Sequence, residues 1–404
     1  MYYKYSLQKK QVSTDSGTTW YDVSPLEIRP GAVLGSYETY SDCMSGLPVR
    51  WVNIDISIDY ECVGYDKYYM QKKQVSYDSG STWTDVTPLE TRVGDVYEYN
   101  SSDCGWLPPP TSQYLTFKSI ENNNVFKFSN TIEYSLNSGS TWNTLTSGNS
   151  VTVNSGDTIM WRASGLTIED YGGIGRFTST KNYNVYGNIM SLVSGNNFAN
   201  ATTVANYNFC QLFYSGKVIH AGSLILPATT LGKGCYMSMF YGCSGLTETP
   251  ALPATTLSDY CYQSMFLNCR SLTTAPELPA TTLGTGCYLQ MFQNCSGITT
   301  APELPATTLA EQCYSNMFLN CSGLTTAPDL PAPTLAKYCY SSMFASCVNI
   351  NYIKCLATNI SANGCTQSWV SGVAATGTFV KAASMTSWRS GAYGIPKNWT
   401  VQNA

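Results

Sequence analysis

The residues of this 404-residue chain that could do chemistry are sixteen cysteines, one histidine and a recurring acidic position. Ten of the cysteines fall in two columns. Cys235, Cys261, Cys287, Cys313 and Cys339 form one; Cys243, Cys269, Cys295, Cys321 and Cys347 form the other. Thiols can pair, hold metals or act as nucleophiles. Within a unit the two columns lie about 12 Å apart if the segment is helical, which is too far for a disulfide and is not the close spacing of a zinc site. The reading is therefore two internal ladders of small, buried, apolar side chains, running beside Phe240, Phe266, Phe292, Phe318 and Phe344. Disulfides between columns of neighbouring units remain open if the segment is not helical. Cys62 with Cys104 and Cys355 with Cys365 are the other candidate pairs. His220 stands alone, which suggests a capping residue and neither a catalytic triad nor a metal site. Glu277, Glu303 and Asp329 share one position, with Thr273, Thr299 and Thr325 beside them. If that position faces a concave surface, it makes a hydroxyl-rich polar strip suited to glycan or protein; the other reading is a solvated strand face with no ligand. No convergent carboxylate pair of the kind glycosidases need is evident. Gly172 to Gly175 lacks the strand–helix frame of a dinucleotide motif and reads as a turn. No catalytic group, metal or cofactor is expected.

A third pattern, S-x-D-x-G-x-T-W, occurs at Ser13, Asp15, Gly17, Thr19 and Trp20, and again at Ser76, Asp78, Gly80, Thr82 and Trp83. A related turn has Asn137 in the Asp place, ahead of Trp142. The pattern resembles the Asp-box of sialidases and other β-propellers. That resemblance implies a hairpin device, in which the carboxylate ties the turn and the Trp packs beneath it, and not a catalytic group. A sialidase-like site would need clustered arginines. Those here are scattered at Arg29, Arg50, Arg92, Arg162, Arg176, Arg270 and Arg389. The residues outside the repeats, about two hundred, are too few for a six-bladed propeller.

Positioning these residues falls first to an internal repeat. LPATTL begins at Leu226, Leu252, Leu278 and Leu304, and returns as LPAPTL at Leu330, 26 residues apart each time. Each unit continues as CYxxMFxxC. Leu257, Cys261, Met265 and Cys269 recur every four residues, which suits one face of a short helix or helical turn. Leu272 to Pro279 suits a short strand edged by prolines. A strand plus a short helical arc at this spacing is the leucine-rich-repeat plan. The string MFxxCxxLxxxPxLP resembles the BspA-like leucine-rich repeat family of Bacteroidetes and other anaerobes. The matching positions are Phe240, Cys243, Leu246; Phe266, Cys269, Leu272; Phe292, Cys295, Ile298; Phe318, Cys321, Leu324; and Phe344, Cys347, Ile350. The strand appears one residue longer than the usual family pattern. A solenoid needs atypical ends. Phe209 to Ile219 reads as a degenerate first unit, Leu356 to Trp369 as a degenerate last one, and the tail after it as a closing segment.

Ahead of the array, Lys4 to Tyr21 returns as Lys67 to Thr84, and both copies run on to Ser-Asp-Cys at Cys43 and Cys104. Their alternation and aromatic content make them β-modules. Before its Lys-Tyr segment the second has an extra strand, Arg50 to Cys62, with no counterpart in the first; the expectation is an incomplete first module whose missing strand something else supplies. The chain therefore reads as mainly β with short helical arcs: an incomplete N-terminal β-module over 1–47, a second over 48–106, a Pro-rich linker over 107–113, a β-sandwich-like domain over 114–194, a capped leucine-rich-repeat-type solenoid over 195–370 and a closing segment over 371–404.

With 22 Lys and Arg against 26 Asp and Glu, and no basic run, nucleic acid is excluded as an expected partner. No segment has the length of a membrane span, and MYYKYSLQKKQVS has no apolar signal region. The whole arrangement resembles proteins encoded by Bacteroides and their phages, crAss-like phages included. That resemblance implies a virion tail or tail-fibre component. Its N-terminal modules would attach to other virion proteins or sister protomers, and its solenoid would recognise a bacterial surface glycan or protein. Homo-oligomers are compatible with this, and membrane insertion is not expected. The alternatives are a cell-surface or secreted BspA-like adhesin whose leader is missing from the sequence and, remotely, a glycan-active enzyme.

Overall fold

The structure, a computed structural model, describes nine strands between residues 2 and 99, and residues 113–404 apart from 164, 165, 167, 169 and 170. The chain divides into two compact units, Met1–Gly105 and Trp106–Ala404.

In the first unit, β1 (Tyr2–Lys9) pairs antiparallel with β4 (Ile28–Tyr37), and β2 (Gln11–Val12) pairs with β3 (Tyr21–Asp22). Next come β5 (Val49–Asn53), β6 (Tyr60–Val63), β7 (Asp66–Val75), β8 (Thr84–Asp85) and β9 (Thr91–Tyr99), with β7 paired to each of the others. The duplicated sequence returns as duplicated pairing. The β1–β4 register shifts at Lys4/Tyr5 and Tyr5/Leu7, and β7–β9 shifts at the equivalent Lys67/Tyr68 and Tyr68/Met70. The expected extra strand is two strands, β5 and β6, both on β7. Asp15, Trp20, Asp78, Trp83 and Cys104 lie outside the described residues.

The second unit begins as a sandwich. Its strands are β10 (Leu115–Ser119), β11 (Asn124–Phe128), β12 (Ile132–Ser135), β13 (Asn143–Leu145), β14 (Val151–Val153), β15 (Thr158–Arg162), β16 (Phe177–Ser179) and β17 (Tyr183–Asn188). One sheet runs β13-β12-β15-β10-β17 and the other β14-β11-β16. Alternating apolar residues of both sheets meet in an aromatic core. The Phe117 ring lies 4.8 Å from Phe177, 4.9 Å from Tyr183 and 5.5 Å from Phe126 and Trp161.

β17 belongs to two architectures. It pairs antiparallel with β10, and its residues 187–188 pair parallel with the solenoid strand Leu224–Ile225. All six of its residues are buried, as a strand covered on both faces should be. Sandwich and solenoid thus share one sheet and one core, which runs from Leu115 to Trp399. The line between residues 194 and 195 passes through that shared core.

From there the chain winds a β-solenoid of about eight turns. Its first strands are β18 (Thr203–Val204), β19 (Leu224–Ile225) and β20 (Thr230–Leu231), with β18 and β20 parallel. In the following turns the contacts shrink to single parallel bridges at threonines: Thr256↔Thr282, Thr274↔Thr300 and Thr308↔Thr334. Prolines between those threonines have no N–H to give a ladder. The tail closes the array with β21 (Tyr352–Cys355), β22 (Thr378–Lys381) and β23 (Thr400–Asn403), all parallel. Trp369 and Trp399 cover this end, and each indole N–H donates to a tail carbonyl at 2.8 Å, of Gly394 and Ala374 respectively.

The CYxxMFxxC arc is a chain of linked turns and not a continuous helix. Every fourth residue has positive φ: Tyr260, Ser264 and Asn268 in one unit, Gly286, Gln290 and Asn294 in the next. Between them, backbone N–H groups alternate between two acceptors. Met265 N–H and Cys269 N–H reach back three residues, to Tyr262 and Phe266. Tyr262, Ser264, Phe266 and Asn268 N–H instead cross to the next unit's Cys287, Leu289, Met291 and Gln293 carbonyls, at 2.8–3.0 Å. Each donor in this stretch is satisfied, which a buried backbone requires. The period of four is real, but it belongs to turns that reset once per four residues. The flanking units keep the same plan: Tyr207, Gln211 and Ser215 have positive φ at the entrance, and Gly364, Ser368 and Gly372 at the exit.

Candidate functional site

The acidic column lies on an extended stretch whose residues alternate in and out. In one unit Pro276, Leu278 and Ala280 are buried while Glu277, Pro279 and Thr281 are exposed; in the next, Glu303, Pro305 and Thr307 are exposed. The outward face therefore repeats a carboxylate, a proline and a threonine from turn to turn. Two grooves open between successive turns on this face. One, of about 490 Å³, is lined by Pro276, Glu277, Pro279, Pro302, Glu303 and Pro305 among others. The other, of about 400 Å³, shares Pro302, Glu303 and Pro305 and adds Pro328, Asp329 and Pro331. Asp329 is tied to Lys354 Nζ at 2.6 Å. Glu277 and Glu303 have no cation partner among the described residues.

Thr273, Thr299 and Thr325 are exposed too, yet they do not line these grooves. The threonines that share the carboxylates' strand are Thr281 and Thr307. The prolines that wall the grooves were not singled out from sequence. The signal was there, since an extended stretch reading P-E-L-P-A-T puts its even members, Glu, Pro and Thr, on one face.

Both cysteine columns and the five phenylalanines beside them are fully buried, and all thirteen cysteines from Cys210 to Cys365 are free thiols, Cys355 and Cys365 included. The second column has a definite partner. Cys269 Sγ donates to Phe240 O at 3.2 Å, Cys295 to Phe266 O at 3.0 Å, Cys321 to Phe292 O at 3.0 Å and Cys347 to Phe318 O at 2.9 Å. The same phenylalanine carbonyl accepts the N–H of its own unit's cysteine. Both its lone pairs are thus used, which explains Phe-x-x-Cys as a junction pattern. Burial pushes the Cys243, Cys295 and Cys347 thiols up to about 12, so they are held as neutral donors and not as thiolate nucleophiles or ligands. Among the described residues no group of three or more His, Cys, Asp or Glu side chains is placed to hold a metal. The phenylalanine rings stack from unit to unit at 5.7–5.9 Å between Phe240 and Phe344, and tyrosines 236, 262, 288, 314 and 340 form a second stack.

The hairpin with Asn137 shows what that motif does. Asn137 Oδ1 accepts Thr141 N–H at 2.9 Å and the Ser135 hydroxyl at 2.8 Å, while Ser135 Oγ accepts Gly139 N–H at 2.9 Å. Ser138 and Gly139 take positive φ. The Arg162 guanidinium lies 4.1 Å from the centre of the half-buried Trp142 ring, and its Nε donates to Glu133 at 3.0 Å. The glycine run folds as a turn with Gly173 and Gly175 at positive φ. His220 lies at the array entrance, its Nδ1 3.0 Å from Thr247 Oγ1 and 3.7 Å from Glu248.

The variable positions around the arc are coupled across units. A Cβ on Gly286 would come within 2.5 Å of the Tyr260 ring; Gly234 stands in the same relation to Tyr207, and Gly364 to Tyr338. A tyrosine on one turn thus covers a glycine on the next. No helix among the described residues is long and apolar enough to cross a membrane. No protein family, curated protein or solved structure matches this chain.

Proposed function

We propose that this protein is a non-catalytic binding protein whose solenoid offers its carboxylate–proline–threonine face to a glycan or protein on a bacterial surface. The observation that carries this is the exposed, regularly repeated strip of Glu277, Pro279, Thr281, Glu303, Pro305 and Thr307 with its two grooves. Carboxylates accept paired hydroxyl or ammonium hydrogens, threonines donate and accept, and proline rings give flat apolar contact with no competing N–H. Held on a close-packed solenoid, such a strip binds without ordering itself first.

The resemblance to BspA-like proteins of Bacteroides and its phages supports a setting in a virion tail or tail fibre. In that setting the N-terminal β-modules attach to other virion proteins or sister protomers. The same resemblance supports a surface or secreted adhesin as the second reading. Mass spectrometry of purified particles separates them, since absence from the virion removes the first. For the strip itself, the double variant Glu277→Gln/Glu303→Gln should lower adhesion of the purified chain to Bacteroides cells about tenfold, from the loss of charge-assisted hydrogen bonds. Undiminished adhesion by a variant with parental melting behaviour would sink the proposal.

A further inference from the structure

We infer that the C-terminal mouth of the solenoid is a second site, one that takes the carboxylate of an acidic sugar. It begins with the polarity of the junctions. Along the arc of each unit, alternate peptide N–H groups donate toward the C-terminal neighbour. The last complete set runs from Tyr338, Tyr340, Ser342, Phe344 and Ser346 to the carbonyls of Asn363, Cys365, Gln367, Trp369 and Ser371. The next donors in register are Gly364, Thr366, Ser368, Val370 and Gly372. None of the five has an acceptor among the described residues. Among the described residues the arc therefore ends in N–H donors without acceptors.

A groove of about 610 Å³ opens at that end, lined by Asn363, Gly364, Thr366, Gln367, Arg389 and Tyr393 among others. Arg389 is exposed and has no carboxylate partner among the described residues. Burial raises the Cys365 thiol, and Arg389, which lines the same groove, acts weakly in the opposite direction. Tyr393 is 53% exposed, and its carbonyl accepts the Thr366 hydroxyl at 2.9 Å, which fixes this residue at the rim. The axial peptides of the arc point their N–H ends this way, whereas others on the turn, Thr247, Ser271 and Ala374 among them, donate back to the preceding unit, so the donor-rich end belongs to the arc alone.

A group that only accepts hydrogen bonds and carries negative charge fits the two of these donors that line the groove, Gly364 and Thr366, together with Arg389. A carboxylate takes backbone N–H groups and a forked guanidinium together. Tyr393 gives a sugar ring a face to lie on, and the Asn363 and Gln367 amides match hydroxyls. This site does not depend on the acidic strip, whose own carboxylates would repel such a ligand.

Calorimetry on the full chain at low salt, with glucuronate, glucose and acetate as probes, tests the inference. Glucuronate should bind at least about tenfold more tightly than glucose or acetate, in line with one charge-assisted contact set plus ring contact. Arg389→Gln should cost about tenfold, Arg389→Lys less, and Glu277→Gln/Glu303→Gln nothing. Equal binding of glucuronate and glucose, or an unaffected Arg389→Gln, overturns the site. Acetate as tight as glucuronate overturns the sugar. A loss through the Glu277/Glu303 variant overturns the location. Should Arg389→Gln melt early, Tyr393→Ala replaces it, with a loss of at least about threefold expected and no loss counting against the site.

Discussion

At the scale of single residues, the second cysteine column is a set of hydrogen-bond donors fitted to a fixed space. Cys295 donates to Phe266 O across a unit junction and is fully buried. Cys295→Ala should lose about 1 kcal/mol, the net worth of one buried hydrogen bond plus a small void. Cys295→Leu should lose about 1–3 kcal/mol by overpacking a dense junction. Urea unfolding of both variants checks this; a Leu variant as stable as the Ala variant would show a column looser than described. That these cysteines recur in register was legible in the sequence, as was the improbability of pairing within a unit. The thiol's acceptor was not legible. It depends on which backbone carbonyl the neighbouring turn brings within reach, and residue types do not encode that.

At the scale of elements, the arc is where sequence and structure part most. Leu257, Cys261, Met265 and Cys269 have the spacing of a helix face, and a period of four cannot by itself separate a helix from turns linked every four residues. The discriminating positions are Tyr260, Ser264 and Asn268 with their equivalents. Gly and Asn, which left-handed backbone favours, recur there beside Ser and Gln. Tyrosine at positive φ is the exception. Tyr260 covers Gly286, so Gly286→Ala should be destabilised by the misplaced ring as well as by its φ of 56°. In a double-mutant cycle with Tyr260→Ala, the ring part should disappear, giving a coupling of about 1–2 kcal/mol. Additive losses would mean the two residues do not meet. The solenoid itself and its 26-residue unit were plain from the sequence; the strand expected over Leu272 to Pro279 is instead an extended stretch with a single bridge at Thr274. The fusion of sandwich and solenoid through β17 was not, because a strand buried on both faces reads alike in either architecture.

At the scale of the whole molecule, the array joins many buried thiols and phenols whose burial favours the neutral form. Cys243, Cys295 and Cys347 are pushed up to about 12, and Tyr236, Tyr262, Tyr288 and Tyr340 are raised well above their ordinary value. In the unfolded chain these groups lose protons near their ordinary values, about 8.5 and 10. Above about pH 8.5 the unfolded state therefore binds fewer protons than the folded one, and stability falls as pH rises toward 12. Melting temperature should be flat from pH 6 to 8 and drop steeply beyond about 9; a flat profile to pH 11 would contradict the burial described. The near-identity of the units carries a hazard of its own, because any LPATTL turn could dock on any other and skip a neighbour. The alternation of tyrosine and glycine makes the units distinguishable. Tyr260 finds Gly286 beside it in the correct order, but meets Gln312 if one unit is skipped. Tyr338 likewise finds Gly364 beside it. A chain of nearly interchangeable parts thus carries, at its least uniform positions, ring-on-glycine contacts that are lost whenever a single unit is skipped.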